Sequence, residues 1–185
     1  MNVQHVNVKF FLEGPQDVDF DRLIEVFHGW VASQLTDSLL IDVADYRHVP
    51  EGPLVILVGH EADYVMDNSR GRLGLVYNRK AVVDGSNADR FGQAIGAAVD
   101  ACDRLEGEMK GLKFDRSEFD LAINDRATAP NNADTFATIR PQIEEFLAQI
   151  GQNNVTVEHN DADLRRLFQM TIALAKPLEA ANLSS

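Results

Sequence analysis

The chain is short of cysteine, of cationic residues and of long apolar runs, and each shortage excludes a class of protein. One cysteine among 185 residues makes no intramolecular disulfide, and no CxxC or Cys/His spacing is present for a structural zinc. Seventeen lysines and arginines face 29 acids, a net charge of −12, so no broad basic field exists to meet the phosphates of a nucleic acid or an anionic membrane. The longest apolar run in a strand-like segment, Leu54 to Val58, falls far below the ~20 residues that span a bilayer. The beginning, Met1-Asn2-Val3-Gln4-His5, has neither the basic nor the apolar stretch of a secretory signal. These absences lead to an expectation of a soluble, cytoplasmic protein with neither nucleic-acid nor membrane partners. The glycine-rich phosphate loops, the GxSxG elbow and HExxH are also missing, so no cofactor and no metal is expected.

What is present is amphipathic patterning along the whole length, 45% of the residues being apolar, which suits one domain over residues 1–185. Val6, Val8, Phe10 and Leu12 alternate with polar neighbours as a strand does. Phe20, Leu23, Ile24, Phe27, Val31 and Leu35 recur at a period of 3.6 behind Asp17 and Asp19, either of which can cap a helix. Leu39 to Val43 reads as a second strand. Leu54 to Val58, apolar at every position, reads as a central strand covered on both faces. It opens a long hairpin that bends at Gly59, turns over residues 67–72 and returns through Leu73, Leu75 and Tyr77. A capped helix begins at Ser86; its Gly92 and Gly96 suggest that another backbone approaches closely. After a polar connection over 106–117 come a strand at Phe119 to Ile123, a helix from Phe136 to Ile150, a short strand at Val155 and Val157, and a last helix holding Leu164, Leu167, Phe168, Thr171, Leu174 and Leu178. The expected fold is α/β (or α+β): one mixed sheet of about six strands, parallel within each strand-helix-strand unit, covered by about four helices.

The charge is uneven. Asp42, Asp45, Glu51, Glu61, Asp63 and Asp67 are answered between them by Arg47 alone, whereas residues 68–80 hold Arg70, Arg72, Arg79 and Lys80 and no acid. Arginine holds carboxylate or phosphate in a two-pronged fork, so one expectation is an anionic small molecule bound by Arg47, Arg70, Arg72 and Arg79. The plainer alternative is pairing between the two arms of the hairpin. Asp42, Asp45 and His48 lie at and after a strand end, and a histidine beside a carboxylate suits acid-base chemistry, so these are the expected catalytic groups. His60 and Glu61 point to opposite faces of a strand and do not share an ion; His60 fits a buried, hydrogen-bonded role. Cys102 lies in an apolar helical stripe and reads as an inert core thiol. A second functional reading is a non-catalytic assembly module, a homodimer using the hairpin and the last helix as contact surfaces.

Overall fold

Val6, Val8 and Phe10 alternate with Asn7 and Lys9 along β1 (Val6–Leu12), and this period of two sets the faces of the whole sheet. The structure, a computed structural model, describes residues 1–36, 38–49 and 51–183. Around β1 lie β2 (Leu40–Asp45), β3 (Pro53–Gly59), β4 (Ala62–Asp67), β5 (Gly74–Arg79), β6 (Phe114–Ile123), β7 (Val155–His159) and β8 (Phe168–Leu174), in the order β2-β3-β4-β5-β1-β6-β8-β7. The helices are α1 (Phe20–Ser33), α2 (Asn87–Glu108) and α3 (Ala133–Gln149). Each begins at a side-chain cap: Asp19 accepts from the Arg22 N–H, Ser86 and Asp89 form a reciprocal capping box, and Asn132 accepts from the Thr135 N–H.

All three helices cover one face. Against them the sheet buries Val8, Phe10, Leu57, Tyr64, Leu75, Tyr77, Phe119, Leu121, Phe168, Met170 and Ile172, while the helices supply Phe27, Trp30, Phe91, Ile95, Ile143 and Leu147. Each large side chain so buried contributes about 1.5–3 kcal/mol, and that layer is the core. Among the described residues, no α-helix covers the opposite face of the sheet. Across its middle, Val65, Val76, Lys9, Asp120, Thr171 and Glu158 follow one another from strand to strand in a single row.

The α/β class holds, with one sheet covered by helices, but the sheet is antiparallel at every pairing rather than mixed. α1 carries the chain from β1 to the far edge, so β2 runs in the same direction as β1 but four strands away, and the meander β3-β4-β5 fills the gap. α3 does the same between β6 and β7, with β8 returning between them. The expected parallel neighbours are therefore separated by strands that follow them in sequence.

Among the described residues, eight strands and three α-helices stand where about six and four were expected. The last expected helix is β8: Phe168, Met170, Ile172 and Leu174 are buried at every second position, and β6 pairs with it from Glu118 to Ile123. Gly59 marks a tight turn that splits the first arm of the hairpin into β3 and β4, and the β2–β3 ladder shifts register opposite it, between Leu40 and Asp42; a Cβ on Gly59 would lie 2.3 Å from the Ala62 carbonyl oxygen. His60 is exposed in that turn rather than buried. β3 is second from the edge and alternates in burial, its Leu54, Ile56 and Val58 being only half-buried on the uncovered face. Among the described residues, no backbone approaches α2 at Gly92 or Gly96: Gly92 meets the ring of Phe146, and Gly96 has open space.

Candidate functional site

The uncovered face carries charge at its centre because β1 and its neighbours place polar residues where the alternation points away from the helices. Lys9 on β1 stands directly opposite Asp120 on β6, and Asp67 ends β4 two strands away on the other side. The Lys9 ammonium donates to Asp67 Oδ1 at 2.7 Å. The same oxygen accepts from the Ser69 N–H at 3.0 Å, and Oδ2 accepts from the Ser69 hydroxyl at 2.8 Å. Asp120 is more enclosed. Its Oδ2 accepts from Arg70 and from the Gln169 amide at 2.5 Å, and its Oδ1 from the Thr171 hydroxyl at 2.6 Å. Buried charges survive only when paired and hydrogen-bonded, and both carboxylates meet that condition. Burial pushes the Lys9 amine below its ordinary value, against the opposing pull of Asp67 and Asp120.

A cavity of about 430 Å³ lies over this cluster, within the range of small-molecule sites. Lys9, Arg70, Arg126 and Arg166 contribute four cations to its lining, against Asp67 and Asp120. Both acids are already committed to protein donors. The Arg126 side chain makes no hydrogen bond or ion pair among the described residues, and Arg166 has only a 3.9 Å approach to Asp163. Arg70 sits in the β4–β5 turn with a left-handed backbone, φ 61°, a conformation that disfavours a Cβ and is kept where the surroundings over-determine it. Asn7 Oδ1 is buried in the floor of the cavity and accepts no hydrogen bond among the described residues.

Among the residues expected to form a site, Arg70 alone lies in this cavity. Arg72 stacks 3.6 Å from the Phe11 ring centre and pairs with Glu118 at 2.7 Å. Arg79, at the other end of β5, pairs with Glu61 at 3.0 Å beside a hollow of about 190 Å³ that reaches Tyr64, Tyr77 and Gln93 on the helix-covered side. Asp42, Asp45, Arg47 and His48 are on β2 and the loop after it, four strands or about 19 Å from β1. There Asp45 and Arg47 meet at 2.7 Å, Arg47 also reaches Asp21 at 2.8 Å, and the Tyr46 and His48 rings stack. Hydrogen bonds from Arg47 hold the Asp45 carboxyl down to about 2. Asp42 accepts from the N–H of its neighbour Val43. The structure thus joins Asp45 to Arg47 but brings neither Asp42 nor His48 to the arginines of the hairpin.

The charge split of the hairpin resolves in two directions. Arg79 and Lys80 answer Glu61 in the β3–β4 turn and Asp63 on β4, whereas Arg70 and Arg72 reach past β1 to Asp120 and Glu118 on β6. Lys9, Asp120, Arg126, Arg166, Gln169 and Thr171 were not singled out from the sequence. A signal was present in single charges set between apolar neighbours within strands, Lys9 between Val8 and Phe10 and Asp120 between Phe119 and Leu121. Residues 164–178 offer no contact helix, since β8 is interior to the sheet. Cys102 is fully buried, and burial pushes its thiol up, away from the reactive thiolate. Among the described residues, no helix is long and apolar enough to cross a membrane, and no group of three or more His, Cys, Asp or Glu could hold a metal ion. Compared with known protein families, curated proteins and solved structures, the chain matches none of them.

Proposed function

We propose that the protein binds an anionic small molecule in the cavity at the centre of its uncovered sheet face, acting in the cytosol. Arg126 carries this reading: a guanidinium with no hydrogen-bonded or salt-bridged carboxylate among the described residues borders a cavity in a chain whose net charge is −12. Its charge is felt by Asp163, but no carboxylate among the described residues closes on it as an ion pair, which leaves the guanidinium able to take an anion from solution. Arg166 and Arg70 extend the same wall, and guanidinium groups there fit the planar oxygens of a carboxylate or phosphate. Of the arginines expected from the sequence, Arg70 belongs to this wall, together with Arg126 and Arg166.

A thermal-shift panel of small carboxylates and phosphates tests the reading. A ligand at about 100 times its Kd adds about 2.7 kcal/mol of stability, enough to raise the Tm measurably. The Arg126→Gln, Arg166→Gln double variant is expected to lose the shift while keeping the Tm of the free protein. A panel in which no anion moves the Tm overturns the proposal. Light scattering on the same samples decides whether a second copy binds.

A further inference from the structure

We infer that the Lys9 amine is a nucleophile that forms an imine with a 2-oxo carboxylic acid held in the central cavity, its carboxylate on Arg126 and Arg166. This rests on the anion-binding reading of the site and adds covalent chemistry to it.

The placement of Lys9 is the first observation. Its side chain is 9% exposed, yet it lines the cavity on the uncovered face instead of extending its charge into bulk water, as lysine stems ordinarily do. Hydrogen bonding is the second. An ammonium has three donors, and here one acceptor, Asp67 Oδ1, meets them among the described residues. Asp120 faces Lys9 across the β1–β6 pair but is taken up by Arg70, Gln169 and Thr171. A buried ammonium thus keeps donor capacity next to an open space, which a carbonyl oxygen of a ligand would use. The third is the carboxylate at 2.7 Å, held by Ser69 and placed to receive a proton. The downward push of burial on the Lys9 amine works in the same direction, since the neutral amine is the nucleophile.

The chemistry balances without an oxidant or reductant. Asp67 takes one proton from the Lys9 ammonium, and the freed lone pair attacks the carbonyl carbon. A C–N bond forms while the C=O π pair moves to oxygen, which is protonated to give a carbinolamine. The C–O bond then breaks, and the oxygen leaves as water with two protons that began on nitrogen. The products are a protonated imine and one water from an ammonium and a ketone. Positive charge beside the carbonyl carbon then makes the adjacent bonds acidic or cleavable, the usual use of a lysine imine.

Borohydride trapping tests this on the whole protein, with pyruvate and 2-oxoglutarate as probes and peptide mass spectrometry as readout. Reduction adds the mass of the oxo acid less one oxygen atom. The chain has five lysines, so Lys80, Lys110, Lys113 and Lys176 serve as internal controls. Labelling of Lys9 is expected to exceed each of them by about tenfold. Lys9→Met should abolish it, and because that variant removes a buried pair, Arg126→Gln with Arg166→Gln provides a second test in a folded protein. The double variant should cut labelling by pyruvate and leave labelling by acetaldehyde, which lacks a carboxylate, unchanged. Labelling that is absent from Lys9 or even over the five lysines overturns the inference. Stabilisation by succinate without labelling of Lys9 overturns the imine and leaves the anion reading standing; no stabilisation by any anion overturns both.

Discussion

Arg70 and Asp120, 50 positions apart in sequence, form an ion pair across β1 in which the guanidinium is 41% exposed and the carboxylate 3%. One side of the pair belongs to the floor of the cavity, and the other faces solvent and any incoming anion. Asp120 keeps Gln169 and Thr171 as donors when Arg70 swings away, so the pair can open without leaving a bare carboxylate.

An incoming anion competes with Asp120 for Arg70. Asp120→Asn removes the competitor and is expected to tighten anion binding by about tenfold, or about 1.4 kcal/mol, measured by calorimetry. In an Arg70→Gln background most of that gain should vanish, leaving only the relief of charge repulsion. An equal gain in both backgrounds would show that Arg70 is not shared.

Lys9 and Asp67 are both nearly enclosed, so removal of one strands the other. Asp67→Ala is expected to lower stability in urea by about 3–5 kcal/mol, because the ammonium stays buried without its acceptor. The double variant Lys9→Met, Asp67→Leu should recover much of this loss, since two apolar residues replace a desolvated pair. A double variant as unstable as the single one would mean that the pair itself, and not the stranded charge, carries the stability.

Glu106, near the end of α2, sets an acid limit on stability. Burial pushes its carboxyl up, but the Phe114 N–H, Lys113 and Arg116 outweigh that and hold it below the ordinary 4.5. A folded value below the unfolded one means stability that is fully present above about 4.5 and is lost as the pH falls through the folded value. Glu106→Gln should flatten the acid limb of the stability curve below that point in urea titrations at stepped pH. An unchanged limb places the acid sensitivity elsewhere.

Two glycines are expected to respond in opposite directions. Gly74 pairs with Phe11 where β5 meets β1, and a Cβ there would lie 2.3 Å from the Phe10 carbonyl oxygen; Gly74→Ala should cost about 1–3 kcal/mol through forced strand separation. Gly96 lies mid-helix in α2 with open space around it, and Gly96→Ala should stabilise by about 0.5–1 kcal/mol. Chemical denaturation of both variants reads the two signs directly.

Helices α1, α2 and α3, the strand β1 and the caps Asp19 and Ser86 could all be read from local pattern, because each element satisfies a single period and α1 and α2 begin at a matching cap. Residues 164–178 could not. Leu164, Phe168, Thr171 and Leu178 match a helical spacing, while Phe168, Met170, Ile172 and Leu174 match a strand, and over so few residues both fit. The unpaired edge of β6 decides between them, since a strand there completes its ladder and a helix would leave it open. Gln169 and Thr171 were hidden by the same ambiguity, and with them two of the three side chains that fix Asp120.

By itself the sequence determined the acidic composition, the class of fold, the inert cysteine and the presence of a cationic stretch after Asn68, because these follow from residue counts and from periods shorter than ten residues. The tertiary structure alone decided which cations matter. Strand order is set by which edge each helix returns the chain to, a choice made by packing over the whole core. That order puts β1 beside β5 and β6, and so brings Lys9, Asp67, Arg70 and Asp120 together while leaving Asp42, Asp45 and His48 at the sheet's edge.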